Sequence, residues 1–358
     1  MKSVISLDWV IFVCAVLLSG FGAAVIGSVA AQVLFAQVAF YLVGLVLFFV
    51  FSRIDYRLYG VLAKPIYFAA LLLLAVTLAI GLESRGAVRW ISVGPLRLQF
   101  SEILKPFLVA AFAARMAKVD VRSLRQFLVN CLWVAVPVFL VLKQPDLGSA
   151  MVYFSAFAAL IFAAGTNLSF LLASVFSSVA VIPVVWHFLA GYQRSRILSF
   201  LEPQTDPLGA SYNAIQALIS VGSGSLLGKG LGRGTQSHLY FLPEHHTDFI
   251  FASLAEEMGF VGAAAVVVTF FVLCWRLLVI TTKCPDQAGR LTALGIGILI
   301  ITQLFVNVGM NIGIVPVTGI TLPLISYGGS SVISTMIGLG IVENIVLSSR
   351  PKEEIRIG

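Results

Sequence analysis

Charge is what this 358-residue chain has least of: 11% of its residues are Asp, Glu, Lys or Arg, whereas 59% are hydrophobic. A folded soluble domain needs a polar skin, so this balance excludes one. Cysteine is as sparse. Cys14, Cys131 and Cys274 fall inside apolar runs and Cys284 outside them, so no pair reads as an external disulfide or a metal site. Also missing are internal repeats, low-complexity tracts and long polar tails. The first apolar run has no small-residue cleavage pattern and is as long as the later ones, so it reads as a retained helix and not a signal peptide.

What is present is a series of apolar runs near the ~20 residues that cross ~30 Å of hydrocarbon. The expected fold class is an all-α polytopic membrane protein, one integral domain over residues 1–358. About ten spans are expected, at 8–29, 32–51, 66–82, 102–117, 127–142, 148–165, 168–190, 254–280, 291–313 and 327–347. A large loop, 190–253, separates the seventh from the eighth.

Ten spans put both termini on one side. Lys2, Arg53, Arg57, Lys64, Arg115, Lys118, Arg122, Arg125, Arg276, Lys283, Arg290, Arg350, Lys352 and Arg356 share that side and make up the larger part of the 23 Lys and Arg. The positive-inside rule therefore makes the termini cytoplasmic and turns the large loop outward. The net charge of +7 belongs to cytoplasmic loops beside anionic lipid and does not imply nucleic acid.

Ionisable groups at the edge of a lipid-embedded domain are costly to keep, so the outward clusters are functional candidates. Arg89-Trp90-Ile91 precedes Gln99-Phe100-Ser101-Glu102-Ile103-Leu104-Lys105. Here Ser101 can cap a helix, and Glu102 and Lys105, three apart, share a face. That spacing fits an intrahelical ion pair and equally a charged pair lining a wet cavity. Lys143-Gln144-Pro145-Asp146-Leu147-Gly148-Ser149 breaks two apolar runs, with Asp146 placed to cap the next helix. Arg194 and Arg196 form either a solvated face or a phosphate-holding pair.

The glycine series Gly222, Gly224, Gly228, Gly230, Gly232 and Gly234 encloses Lys229 and Arg233. It is not a phosphate loop. Gly224 to Lys229 is one residue short, and Gly230 stands where a magnesium-binding Ser or Thr belongs. A flexible loop whose amides and two cations meet an anion remains compatible with it. Glu244-His245-His246-Thr247-Asp248 holds adjacent histidines, which do not supply the i, i+4 face of a zinc helix. Asp248 lies where the chain re-enters apolar sequence, a position suited either to a general base or to a helix N-cap. Finally, Asn307, Gly309, Asn311, Pro316, Gly319, Pro323 and Ser326-Tyr327-Gly328-Gly329-Ser330-Ser331 predict non-helical backbone at depth, which needs a cavity.

In this order, Arg89-Trp90-Ile91, Gln99-x-Ser101-Glu102-x-x-Lys105, Lys143 to Ser149, Leu242-Pro243-Glu244-x-His246-Thr247-Asp248-Phe249, Glu256-Glu257-x-Gly259 and Ser326 to Ser330 resemble the shape, elongation, division and sporulation (SEDS) family over nearly the whole chain. Short tails resemble its elongation branch more than its division branch. Phe100 departs from the family, which usually has proline there.

The resemblance implies a bacterial inner-membrane enzyme that polymerises lipid II into glycan strands beside a class B penicillin-binding protein. It implies Asp248 as the catalytic carboxylate and Glu102 and Lys105 as cavity residues. Arg89, Lys143, Gln144, Asp146, Glu244, His246 and Ser326 join the expected substrate contacts. An outward reaction cannot draw on ATP, so the leaving group of a lipid-linked diphosphate sugar must supply the energy. Arg194, Arg196, Lys229 and Arg233 are the expected diphosphate holders, and Mg or Mn can share that role although no ligand set is legible. A lipid II flippase and a non-catalytic scaffold are the competing readings. A transport path would need ionisable groups near the midplane of several helices.

Overall fold

The computed structural model describes residues 7–84, 87–94, 96–174, 176, 187, 191–202, 211–239 and 241–349. The chain opens with α1 (Trp9–Val29), α2 (Ala31–Arg53), the short α3 (Arg57–Val61) and α4 (Ala63–Ile80). An antiparallel three-stranded sheet follows, β1 (Leu82–Ser84), β2 (Ala87–Val93) and β3 (Leu96–Leu98). Then come α5 (Phe100–Ile103), α6 (Lys105–Met116), α7 (Leu124–Lys143) and α8 (Leu147–Ala163). Past a helical stretch at 168–174 lie α9 (Gly191–Leu201), α10 (Tyr212–Ser223) and α11 (Thr235–His238). The long α12 (Ile250–Lys283), α13 (Gln287–Asn311) and α14 (Gly329–Ser349) complete the described chain.

Among the described residues seven helices, α1, α2, α4, α7, α12, α13 and α14, are long and apolar enough to cross a membrane, and α8 is a shorter apolar helix. The protein is a polytopic all-α membrane protein. The expected span at 102–117 is broken: α5 ends at Ile103, Leu104 intervenes and α6 starts at Lys105. Most of the expected span at 168–190 lies outside the described residues. The small sheet was not expected. Its central strand is rich in β-branched and aromatic residues and meets β3 through a turn at Gly94, φ 62°, a conformation that suits glycine.

Helix starts follow side-chain chemistry. Asp8, Ser123, Asp146 and Asp286 cap α1, α7, α8 and α13 by accepting amides of the first turn. α14 forms the centre, 83% buried, whereas α2 is 17% buried and presents most of its surface outward. Their backbones touch because Gly340 has no side chain: a Cβ there would lie 2.6 Å from the Phe48 carbonyl oxygen. α12 is broken at Gly259, with φ 67° and ψ −168°. Near the other end of the bundle, Arg276 donates to Asp8 Oδ2, the Asp8 amide donates to Glu343 at 2.8 Å, and Tyr56 donates through its amide to Asn344 and its hydroxyl to Asp286.

Candidate active site

Two groups of polar residues face each other across the segment between α13 and α14. The first gathers around the α7–α8 corner. Asp146 accepts the Ser149 amide at 3.0 Å and the Gln99 side-chain amide at 2.9 Å. Arg89, on β2, donates to the Gln144 carbonyl at 3.2 Å and to the Pro145 carbonyl, with NH1 3.9 Å from Asp146. The Gln144 side chain donates away from the corner, to the Leu74 carbonyl at 2.9 Å.

Ser101 does not cap a helix. Gln99 occupies the N-cap position of α5, and Ser101, fully buried inside its first turn, accepts through its carbonyl from the Tyr153 hydroxyl at 2.9 Å. The two-residue shift follows from Gln99 being held from both sides, its amide donating to Ser330 Oγ at 2.9 Å and its side chain to Asp146. Glu102 and Lys105 pair at 2.5 Å across the α5–α6 break, and Ser149 donates to the same Glu102 oxygen at 3.2 Å. The pair is buried, Lys105 being 1% and Glu102 8% exposed, and Glu102 Oε2 has no hydrogen-bond partner. A buried carboxylate oxygen left in that state calls for a functional explanation. Lys105 also lines a small cavity with Gln303, Ser334 and Thr335.

The second group is the turn that carries Asp248. Glu244, at φ 55°, closes it by accepting the amides of Thr247 at 3.1 Å and Phe249 at 3.2 Å, and its side chain accepts the Thr247 hydroxyl at 3.1 Å. Phe249, not Asp248, stands at the N-cap of α12, so the half-buried Asp248 carboxylate is not a helix cap. Its carbonyl accepts Asn307 Nδ2 at 2.9 Å and Asn311 Nδ2 at 3.2 Å. Ser326 donates to the Thr247 carbonyl at 2.7 Å, and the Tyr327 amide to the His246 carbonyl at 2.9 Å.

Residues 312–328 join the two groups. A Cβ on Gly319 would lie 3.3 Å from Asp248 Oδ2, and one on Gly148, beside Asp146, would lie 2.5 Å from Ile320 Cγ1. Gln37 was not singled out in the sequence. It donates to the Ser326 carbonyl and accepts the Gly328 amide, both at 3.2 Å. Its signal was a side-chain amide inside an apolar span.

The anions that the glycine series meets in this structure are the protein's own carboxylates, Glu256 and Glu257. The series straps across the break in α12: the amides of Lys229 and Gly230 donate to the carbonyls of Glu256 and Glu257, and the carbonyls of Ser225 and Leu226 accept the amides of Phe260 and Val261. The broken helix needs those partners, because the break leaves backbone donors and acceptors without their helical ones. Gly228, at φ 78°, would put a Cβ 2.1 Å from the Glu257 carbonyl oxygen. Lys229 pairs with buried Glu256 at 2.7 Å. Arg233 is exposed, as is Lys143, whose ammonium lies 5.5 Å from the centre of the Phe139 ring. Arg194, on α9, donates to the His187 carbonyl at 2.5 Å, and the Arg196 side chain lies outside the described residues. No described contact brings Arg194, Arg233 or Lys143 into either polar group. Among the described residues no group of three or more His, Cys, Asp or Glu side chains is placed to hold a metal ion.

Residues 3–351 match the profile of the FtsW, RodA and SpoVE family, described as "Cell cycle protein". The chain belongs to this family, the SEDS proteins. This SEDS chain is 42% identical over 306 residues to the peptidoglycan glycosyltransferase MrdB of Escherichia coli K12, covering 84% of this chain and 82% of MrdB. It is 37% identical over 356 residues to a probable peptidoglycan glycosyltransferase FtsW of Nitrosococcus halophilus, covering 94% and 91%. A chain in a peptidoglycan synthase complex, described as coordinating polymerization and crosslinking, matches with a TM-score of 0.83 at 32% identity, covering 98% of this chain and 100% of that one. An aspartate-to-alanine mutant of the rod shape determining protein RodA of Thermus thermophilus matches with a TM-score of 0.74 at 30% identity, covering 98% and 100%.

Proposed function

We propose that this SEDS protein is a peptidoglycan glycosyltransferase that polymerises lipid II on the outer face of the bacterial inner membrane, for cell elongation, with its termini in the cytoplasm. The observation that carries the reading is the placement of the Asp248 turn, anchored by Asn307, Asn311 and Ser326, across residues 312–328 from the buried Glu102–Lys105 pair. A carboxylate fixed by its backbone among polar groups is suited to general-base work. Asp248 takes the proton from the 4-hydroxyl of the acceptor sugar, whose oxygen attacks the donor's anomeric carbon. The bond to the lipid diphosphate breaks, with inversion, and the diphosphate leaves as an anion.

In this reading Glu102 and Lys105 set the charge beside the substrate, with Arg89, Gln144 and Asp146 on one side of it and Glu244, His246 and Ser326 in the turn opposite. Arg194, Arg196 and the exposed Arg233 are the diphosphate candidates, with Lys143 at the rim. Lys229 would have to leave Glu256 to join them. The described residues offer no resident metal site, so the reading brings any Mg or Mn ion in on the substrate diphosphate and routes no step through it. A class B penicillin-binding protein is the partner that would crosslink the product, a reading supported by the match to a chain in a synthase complex.

Against a flippase stands the distribution of charge. α12 carries no Asp, Glu, Lys or Arg between Glu257 and Arg276, and α13 none after Arg290. A transport path needs such groups near the midplane. The deciding experiment is glycan synthesis from purified lipid II in liposomes by wild type, with and without its penicillin-binding protein, and by Asp248→Ala. Long glycan that disappears with the variant supports the reading. Translocation of lipid II without polymer in any arm overturns it.

A further inference from the structure

Glu256 is a fully buried carboxylate that the proposed reaction leaves without a role. Its Oε1 accepts the Lys229 ammonium at 2.7 Å, the Thr235 hydroxyl at 3.1 Å and the Gln236 amide at 3.0 Å, and its Oε2 accepts the Ser237 amide at 3.4 Å and lies 3.3 Å from the Ser237 hydroxyl. Apart from Lys229, every one of those donors belongs to α11, the element from which the chain runs on to Asp248. The ties continue along that run. The Leu242 amide donates to the Gln236 carbonyl at 3.1 Å, the Ser237 hydroxyl donates to Ser253 Oγ at 2.9 Å, and Ser253 donates to the His245 carbonyl at 3.2 Å. Glu257 secures the strap on its other side, accepting from Ser28 at 2.6 Å, the Gly232 amide at 3.1 Å and His238 at 3.0 Å.

We propose that Glu256 is a positioning residue for the reaction: by collecting Lys229 and the donors of α11 on one buried carboxylate, it fixes where the turn places Asp248. This rests on the reading of Asp248 as the base. The site calls for a carboxylate and not merely a polar group. Four donors and the Ser237 hydroxyl converge on two acceptor oxygens, and a glutamine would turn an NH2 toward at least one of them. An N–H aimed at an N–H pushes α11 outward, and the displacement passes along the chain to Asp248. A misplacement of about 1 Å at a general base costs about 10²-fold in rate, without altering how substrate binds.

The test uses the full chain with its penicillin-binding protein and measures kcat and KM for lipid II, per folded molecule, with the melting temperature in detergent. Glu256→Gln is expected to lower kcat by about 10²-fold with KM nearly unchanged, and Glu256→Asp to recover part of it. Lys229→Met combined with Glu256→Gln is expected to be no worse than Glu256→Gln alone. Wild-type kcat in Glu256→Gln, or a raised KM at unchanged kcat, overturns the proposal. Should Glu256→Gln not fold, Ser237→Ala carries the test, since it leaves the ion pair in place: a drop in kcat at an unchanged melting temperature supports the proposal, and wild-type kcat overturns it. Asp248→Asn runs alongside. Full activity there brings down the base reading and the positioning role with it, whereas an inactive Asp248→Asn beside a fully active Glu256→Gln brings down the positioning role alone.

Discussion

Gly319 packs closely against Asp248: a Cβ at this position would stand 3.3 Å from Asp248 Oδ2. Its φ of 77° is also one that side-chain-bearing residues avoid. Gly319→Ala is therefore expected to cost about 1–2 kcal/mol in backbone strain and to crowd the carboxylate at the same time. Glycan synthesis should fall by about tenfold or more, on the way to the loss that a full 1 Å shift brings. Gly313→Ala is the control, because its φ is 72° but a Cβ there meets nothing within 4 Å. If both variants lose activity equally, crowding of Asp248 is not the cause.

The Glu102–Lys105 pair lies in a low-dielectric interior, so removing one partner strands the other. Lys105→Met or Glu102→Gln alone is expected to lower stability by about 3–5 kcal/mol, read as a lower melting temperature in detergent. The double variant should recover much of that loss, because no bare charge remains. It should still fail to polymerise lipid II if the pair serves the reaction. A double variant with restored stability and wild-type activity would make the pair structural.

Tyr56 reports on the opposite end of the bundle. Its hydroxyl donates to Asp286 at 3.1 Å, and burial first, then the Asp286 charge, pushes its pKa up from 10 to about 12. The neutral phenol is thus favoured in the folded state. Stability from this group is fully present below pH 10 and is lost as pH rises from 10 toward about 12, where the folded protein must ionise. Melting temperature measured from pH 9 to pH 12 should fall less steeply in Tyr56→Phe than in wild type. Parallel slopes would refute the coupling.

The apolar runs made the helical fold legible, because their length answers to the thickness of the bilayer and to little else. The ends were less so. α12 begins at Ile250, four residues before the expected start at 254, since the glycine strap satisfies the break at Gly259 and lets helix continue on either side. That strap was visible as glycines but not as a brace, because its partners are the carbonyls of Glu256 and Glu257, far along the chain. Asp146 could be read as a cap from local spacing, and it is one. Ser101 was read as a cap and is not one, because tertiary partners hold Gln99 at the N-cap, and the pairing of Lys229 with Glu256 lay beyond what local spacing can show.

Asn307 joins two stretches of backbone that no secondary structure connects. Its Nδ2 donates to the Asp248 carbonyl at 2.9 Å and to the Ile320 carbonyl at 2.7 Å, while Asn311 donates to the same Asp248 carbonyl and accepts the Ala252 amide at 3.0 Å. Asn307→Ala leaves the Ile320 carbonyl without this donor and frees the Asp248 turn to move against residues 312–328. The expected cost is about 1–3 kcal/mol of stability from buried groups left unsatisfied. The loss of activity should exceed what that instability explains, because the Asn307 amide is the tie shared by the Asp248 turn and Ile320, the neighbour of Gly319. Asn307→Asp separates the two effects: it keeps the shape but sets a carboxylate against two carbonyl oxygens, which repels both strands at once. Glycan synthesis per folded molecule should therefore fall further in Asn307→Asp than in Asn307→Ala. Higher activity in Asn307→Asp than in Asn307→Ala would mean that filling the site, and not donating a hydrogen bond across it, is what holds Asp248 in place.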